Sequence, residues 1–223
     1  LLTLVTSLGS VMLPRVSNLL SSGNQKAVNK LHEMSFLVYN LVIFPMIAGI
    51  LIVNKDFVNF FLGQDFQDAR YAIAIMAFRM FFIGWTNIMG IQILIPHNKN
   101  REFMLSTTIP AVFSVGLNLL LIPPLGYIGA SIVSVATEGL VWLIQLYFTR
   151  SYLKEVKILP SMLKILLAAL LMYGALYSVQ AFMHFSSVVN VLIYSLLGFL
   201  VYGGLVLLLR VLDFQELKNV LKK

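Results

Sequence analysis

Two ionisable side chains stand where charge is expensive. Arg79 lies inside an apolar run at 71–95, and Glu138 lies near the middle of another at 127–149. A charge at mid-bilayer depth costs ~2.5–3.5 kcal/mol on insertion scales, so such groups turn toward protein or a water-filled cavity. Both have polar company at helical spacing. At 100° per residue, Thr86 and Gly90 fall close to the Arg79 line, with Ile83 and Asn87 flanking it. Ser131, Ser134 and Gln145 fall near Glu138, with Trp142 beside them, and Thr107, Ser114 and Asn118 share a weaker line with Ala111. One reading makes the first two faces the lining of a hydrophilic cavity. Arg79 would then attract an anionic headgroup, and Glu138 would be its partner, a proton or cation site, or a gate. The other reading makes Arg79 and Glu138 a structural pair, with Ser, Thr and Asn joining helices to one another. For Thr107, Ser114 and Asn118 the second reading is preferred.

Other chemistry finds little to work with. There are no cysteines, and His32, His97 and His184 fall in three separate connecting segments, so no metal site and no cofactor is expected. Asp56, Asp65 and Asp68 share the 54–70 loop without a metal-binding spacing. No nucleophile–base arrangement or phosphate-cradling glycine loop is present, which argues against an enzyme. No repeated filter-like segment suggests a channel.

The elements that must position Arg79 and Glu138 are set by hydropathy. The chain has 223 residues, of which 59% are hydrophobic and 11% charged, with a mean hydropathy of +0.89. Soluble domains carry about a quarter charged residues. A core of this size cannot hide so much apolar surface from water, but a bilayer can accept it. A hydrocarbon layer of ~30 Å needs about 20 apolar helical residues. Seven runs meet that length, at 1–20, 35–53, 71–95, 103–122, 127–149, 161–183 and 189–209. The expected fold class is therefore all-α, a polytopic membrane helix bundle of about seven transmembrane helices. Short connections with turn residues separate the runs, among them Ser-Ser-Gly-Asn at 21–24, Pro-His-Asn-Lys-Asn at 96–100 and Pro-Pro-Leu-Gly at 123–126. Pro14 and Pro45 interrupt apolar runs and should bend their helices. The chain opens with Leu1 inside an apolar run and without a basic leader region, so it is read as starting inside a helix.

Charge gives an orientation. The net charge of +7 does not form a stripe along one element, so no nucleic-acid partner is expected. With seven spans, thirteen basic residues fall on one side, and only Lys55 and Arg70 on the other. The basic side should be cytoplasmic, and with it the C-terminus. The segment 22–34 reads as an amphipathic surface helix or a solvated loop helix. The tail from Asp213, where Leu212, Leu217, Val220 and Leu221 alternate with charges, reads as a helix on the interface.

Three residue patterns then carry a resemblance. They are Ser-Val-Met-Leu-Pro-Arg-Val-Ser at 10–17, Phe-Leu-Gly-Gln-Asp-Phe-Gln-Asp-Ala at 61–69, and Asn-Leu-Leu-Leu-Ile-Pro-Pro-Leu-Gly-Tyr-Ile-Gly-Ala at 118–130 followed by Ala-Thr-Glu at 136–138. In this order they resemble the polysaccharide-biosynthesis flippases of the MATE-like multidrug/oligosaccharidyl-lipid/polysaccharide superfamily. The resemblance implies a fragment of a transporter of twelve to fourteen helices. Residues 1–150 would be most of the second six-helix bundle, and 151–223 two additional C-terminal helices with a cytoplasmic tail. It also implies translocation of a polyprenyl-pyrophosphate-linked oligosaccharide across the bacterial cytoplasmic membrane by alternating access. Such a flippase serves capsule, O-antigen or exopolysaccharide assembly, beside a polymerase and glycosyltransferases of the same pathway. On that footing Arg79 and Arg15 would meet the pyrophosphate, and Asn87, Gln145 and Ser134 the sugar hydroxyls. A cation-coupled multidrug exporter and a peptidoglycan-precursor flippase of the same superfamily are the alternatives. A membrane-embedded enzyme of polysaccharide synthesis stands further back.

Overall fold

The computed structural model describes residues 2–182 and 185–211, with side chains from residue 12 onward. The turn at His184 and the tail from Asp213 lie outside these residues. Everything described is helical or a short connection. The helices are α1 (Leu2–Ser21), α2 (Gln25–Phe61), α3 (Ala69–Asn87, continued as a π-helical stretch Ile88–Leu94), α4 (Asn100–Leu153), α5 (Leu159–Phe182) and α6 (Ser187–Leu208), with one 3₁₀ turn at Gln64–Phe66. Among the described residues, α2, α3 with its continuation, α4, α5 and α6 are long and apolar enough to cross a membrane. Large apolar side chains stay on the outside, as in Phe182 at 86% and Leu208 at 80% exposure, and hydrocarbon is the solvent that tolerates them.

Five candidate spans against seven expected reflects two elements. The first is α1, helical over nearly the whole expected run. The second is α4, which takes in both 103–122 and 127–149. Its 54 residues would reach ~80 Å if straight, more than twice the hydrocarbon thickness. It does not run straight. At Gly126 the backbone takes φ 53° and ψ −132°, outside helical geometry and open mainly to glycine. A Cβ on Gly129 would collide with the Leu121 carbonyl. In a continuous helix those two residues would stand ~12 Å apart along the axis, so the limbs of α4 fold back on each other. Pro123 and Pro124, which lack N–H donors, weaken the helix just before the turn.

The 22–34 segment differs from expectation in its continuity. Gly23 makes a tight turn with φ 71°, and from Gln25 one helix runs through to Phe61. Val28 and His32 are fully buried in it, so its inner face belongs to the core. Pro14 and Pro45 lie inside α1 and α2 without ending them.

The chain divides into two compact units. The first holds α1, α2 up to Asn40, α3 and α4, and its most extensive packing is α3 along α4. Val28, Phe36, Met89, Ile93 and Leu94 are at its core. The second holds α2 from Leu41 onward with α5 and α6, around Ala48, Ile52, Met172, Leu176 and Tyr194. One contact in this second unit has a clear cause. The Leu41 carbonyl would normally accept from the N–H four residues on, but that residue is Pro45. The Tyr202 hydroxyl donates to it instead, at 2.8 Å.

Candidate functional site

The first unit contains all of the residues singled out for chemistry. Arg79 of α3 and Glu138 on the second limb of α4 meet directly, with Nη2 donating to Oε1 at 2.8 Å. Their side chains keep 35% and 21% of their surface exposed, so the pair is reachable from outside the chain. An aromatic wall stands beside it. Phe81, Phe82 and Trp85 of α3 face Trp142, one turn beyond Glu138, with ring centroids 5.8–6.2 Å apart. Two donors at this wall, Arg79 Nε and Trp142 Nε1, are buried without a hydrogen-bond partner among the described residues. A buried donor without an acceptor carries a desolvation cost of ~1–3 kcal/mol, so these two groups are poised to take one.

A second polar group lies where α3 turns into its π-helical stretch. There the Ile95 N–H reaches back five residues to the Gly90 carbonyl. Ser35 Oγ donates to Gln92 Oε1 at 2.7 Å, and His32 Nε2–H donates to the Gln92 main-chain oxygen at 3.1 Å. Trp85 Nε1 donates to Asn40 Oδ1 at 2.9 Å, and the Tyr39 hydroxyl donates to the Met80 carbonyl. A cavity of about 40 Å³ opens among Met12, Met34, Ser35, Tyr39, Asn87 and Gln92. That is room for water, and Asn87 Oδ1 is buried without a partner among the described residues.

The candidates therefore fall into separate places. Arg79 and Glu138 form one pair. Asn87 belongs to the small cavity. Thr86 is buried and its hydroxyl returns to the Ile83 carbonyl at 3.0 Å. Gln145 is 1% exposed and donates to Ser106 Oγ at 3.1 Å, two helical turns along α4 from Glu138. Gly90 is beside Gln145: a Cβ there would come within 3.1 Å of its Nε2 and 2.6 Å of the Phe103 ring. Ser134 is half-buried, and Arg15 is exposed on α1. Thr107 is exposed and bonds to the Met104 carbonyl of its own helix, so its hydroxyl joins no helices here. Asn40 and Gln92 were not singled out, although each is an amide inside an apolar run and that signal was present. Among the described residues no group of His, Asp and Glu is placed to hold a metal.

Comparison with known proteins fixes the family. The family model described as "Lipid II flippase MurJ" matches residues 2–198. The chain belongs to this family. It is a family of transporters, so this is a multi-pass membrane protein and not an enzyme, and the superfamily resemblance holds. The similar proteins include an uncharacterized membrane protein of Methanocaldococcus jannaschii, 25% identical, covering 97% of this chain and 42% of that protein. A probable low-salt glycan biosynthesis flippase of Haloferax volcanii is 23% identical over 97% of this chain and 46% of its own length. A putative O-antigen transporter of Escherichia coli is 28% identical over 66% of this chain and 35% of its own. The MurJ-family fold is seen directly in a solved lipid II flippase in an inward closed conformation. Its TM-score is 0.76 at 17% identity, over 92% of this chain and 43% of that one. The chain thus spans less than half the length of the relatives it matches.

Proposed function

We propose that the protein containing this chain moves a polyprenyl-pyrophosphate-linked glycan between membrane leaflets by alternating access. The observation that carries this reading is the family match over residues 2–198. The glycan flippase and the O-antigen transporter among its relatives favour an oligosaccharide repeat unit as the cargo. A second reading, a peptidoglycan-precursor cargo, is favoured by the description of the matching family and by the solved flippase of similar fold. Both cargos share a pyrophosphate on a lipid. The multidrug exporter has no such support.

In this reading the Arg79–Glu138 pair is the charged element of the cavity wall. Arg79 already gives one N–H to Glu138, and its Nε has no acceptor among the described residues. An arriving phosphate can compete with the carboxylate for the guanidinium fork. Arg15 is the second cation. Asn87 and Ser134 supply hydrogen bonds to the cargo, and Thr86 and Gln145 act from within the packing, as their burial requires. The topology we propose has seven spans: α1, α2, α3, the two limbs of α4, α5 and α6. The C-terminus then lies in the cytoplasm of a bacterial cell. Residues 1–150 form most of the second bundle and 151–223 the added pair, beside the polymerase and glycosyltransferases of the pathway.

The test uses the full-length protein in two bacterial hosts, one lacking its surface-polysaccharide flippase and one depleted of its peptidoglycan-precursor flippase. Restored polysaccharide in the first host supports the repeat-unit reading, and rescued growth in the second supports the precursor reading. Arg79→Ala should abolish whichever rescue occurs, at unchanged membrane abundance. Rescue of neither host by the unmutated protein sinks the proposal. Full rescue by Arg79→Ala removes Arg79 from the site.

A further inference from the structure

Because α4 doubles back at Gly126, its first and last turns come together on one side of the membrane. The surface between them is hollowed to a volume of about 360 Å³. Lys99 and Glu102 stand on one wall, and Tyr147, Arg150, Ser151 and Tyr152 on the other. We propose that this hollow holds the phosphate headgroup of an anionic phospholipid from the adjacent leaflet. This goes beyond the transport reading and rests on it only for the seven-span topology.

The donors are arranged for a phosphate. The Arg150 guanidinium lies over the Tyr147 ring, 4.5 Å from its centroid. Stacking fixes the plane of the group and leaves its N–H edge free for an anion. Lys99 Nζ is 2.9 Å from Glu102 Oε1, and that hydrogen bond raises the lysine pKa above its ordinary value, so the ammonium is retained. Ser151 adds a hydroxyl. Two cations and one carboxylate leave a single positive charge, which matches a phosphodiester. The surroundings match a lipid. In the proposed seven-span topology the hollow lies on the side that carries most of the basic residues, where anionic headgroups draw Lys and Arg. Tyrosines at this level suit the membrane interface. Leu143 and Tyr147, one turn apart, are 55% and 60% exposed and lead from the hollow along the apolar limb. An acyl chain can follow them, and free phosphate has no use for them.

The experiment places the full-length protein in nanodiscs of phosphatidylcholine with a minor fraction of phosphatidylglycerol. After extraction, native mass spectrometry counts the lipids retained. Phosphatidylglycerol should be retained in preference to phosphatidylcholine. Lys99→Ala and Arg150→Ala should each weaken retention about fivefold. Glu102→Gln, which frees Lys99, should strengthen it, and excess inorganic phosphate should not displace the lipid. Equal retention of both lipids, or unchanged retention in the Lys99→Ala/Arg150→Ala double variant, would overturn the proposal. Displacement by inorganic phosphate would overturn it too, by making the hollow a soluble-anion site.

Discussion

The Arg79–Glu138 pair allows structural and cargo roles to be separated by exchanging its charges. Two opposite charges with centres ~4 Å apart attract by ~4 kcal/mol at an effective dielectric of 20. The side chains are 35% and 21% exposed, so screening lowers this to about 2–3 kcal/mol. Glu138→Gln and Arg79→Met each lose that attraction and leave one charge without its partner, and each should destabilise the full-length protein by about that amount. Removing both should cost less than the two single changes together, with a coupling energy of ~2 kcal/mol in the double-mutant cycle. Thermal unfolding in one nanodisc composition measures all four corners. The charge-exchanged variant, Arg79→Glu with Glu138→Arg, restores the pair and so should recover most of the stability. It moves the guanidinium to α4, however, and transport should stay impaired if Arg79 must meet a phosphate from α3. Additive single changes, within about 0.5 kcal/mol, would show that the two residues do not act as a unit. Transport at the unmutated level in the exchanged variant would show that the pair only holds helices together.

Three further changes test the framework. Tyr202→Phe deletes the donor to the Leu41 carbonyl and should destabilise by about 1–2 kcal/mol, read in the same unfolding assay. Gly126→Ala puts a Cβ on a residue with φ 53° and ψ −132° and should cost about 1–3 kcal/mol; cross-linking between cysteines placed at positions 121 and 129 would report whether the hairpin persists. Ser35→Ala leaves Gln92 Oε1 without its donor and should cost about 1–2 kcal/mol, whereas Ser35→Thr, which keeps the hydroxyl, should cost less.

Hydropathy was enough to find the helices, because only a helix satisfies its own backbone across hydrocarbon. The Pro-Pro-Leu-Gly turn was equally plain, since Gly126 is where a positive φ is cheap. The helical wheel set Arg79 and Gly90 on one face and Glu138 and Gln145 on another, and the structure brings Arg79 to Glu138 and Gly90 beside Gln145. What the wheel does not foresee is the π-helical stretch at Ile88–Leu94, where the Ile95 N–H reaches back five residues to the Gly90 carbonyl. The reach of α2 was missed for a different reason. Lys26, Lys30 and Glu33 gave 22–34 a surface composition, while Val28 and His32 on the opposite face are what tie it to the core.

The least legible contacts share one rule that the sequence does contain. A proline has no N–H, so the carbonyl four residues before it loses its helical partner. In a membrane that carbonyl cannot turn to bulk water, and some other donor must come to it. Pro45 frees the Leu41 carbonyl, and the Tyr202 hydroxyl takes it. Pro96 stands four residues after Gln92, and His32 Nε2–H takes that carbonyl. Both donors come from residues that are distant in the chain, so each proline fixes a tertiary contact as well as a local irregularity. The same logic explains why His32 is buried although nothing around it resembles a metal or catalytic site. It donates through Nε2, its Nδ1 has no partner among the described residues, and its burial follows from the acceptor it serves. Pro45, inside an apolar run, and Pro96, just past the end of one, therefore mark carbonyls that need a donor. The polar side chains that cross to them form a framework distinct from Arg79 and Glu138, a charged pair that bridges two candidate spans.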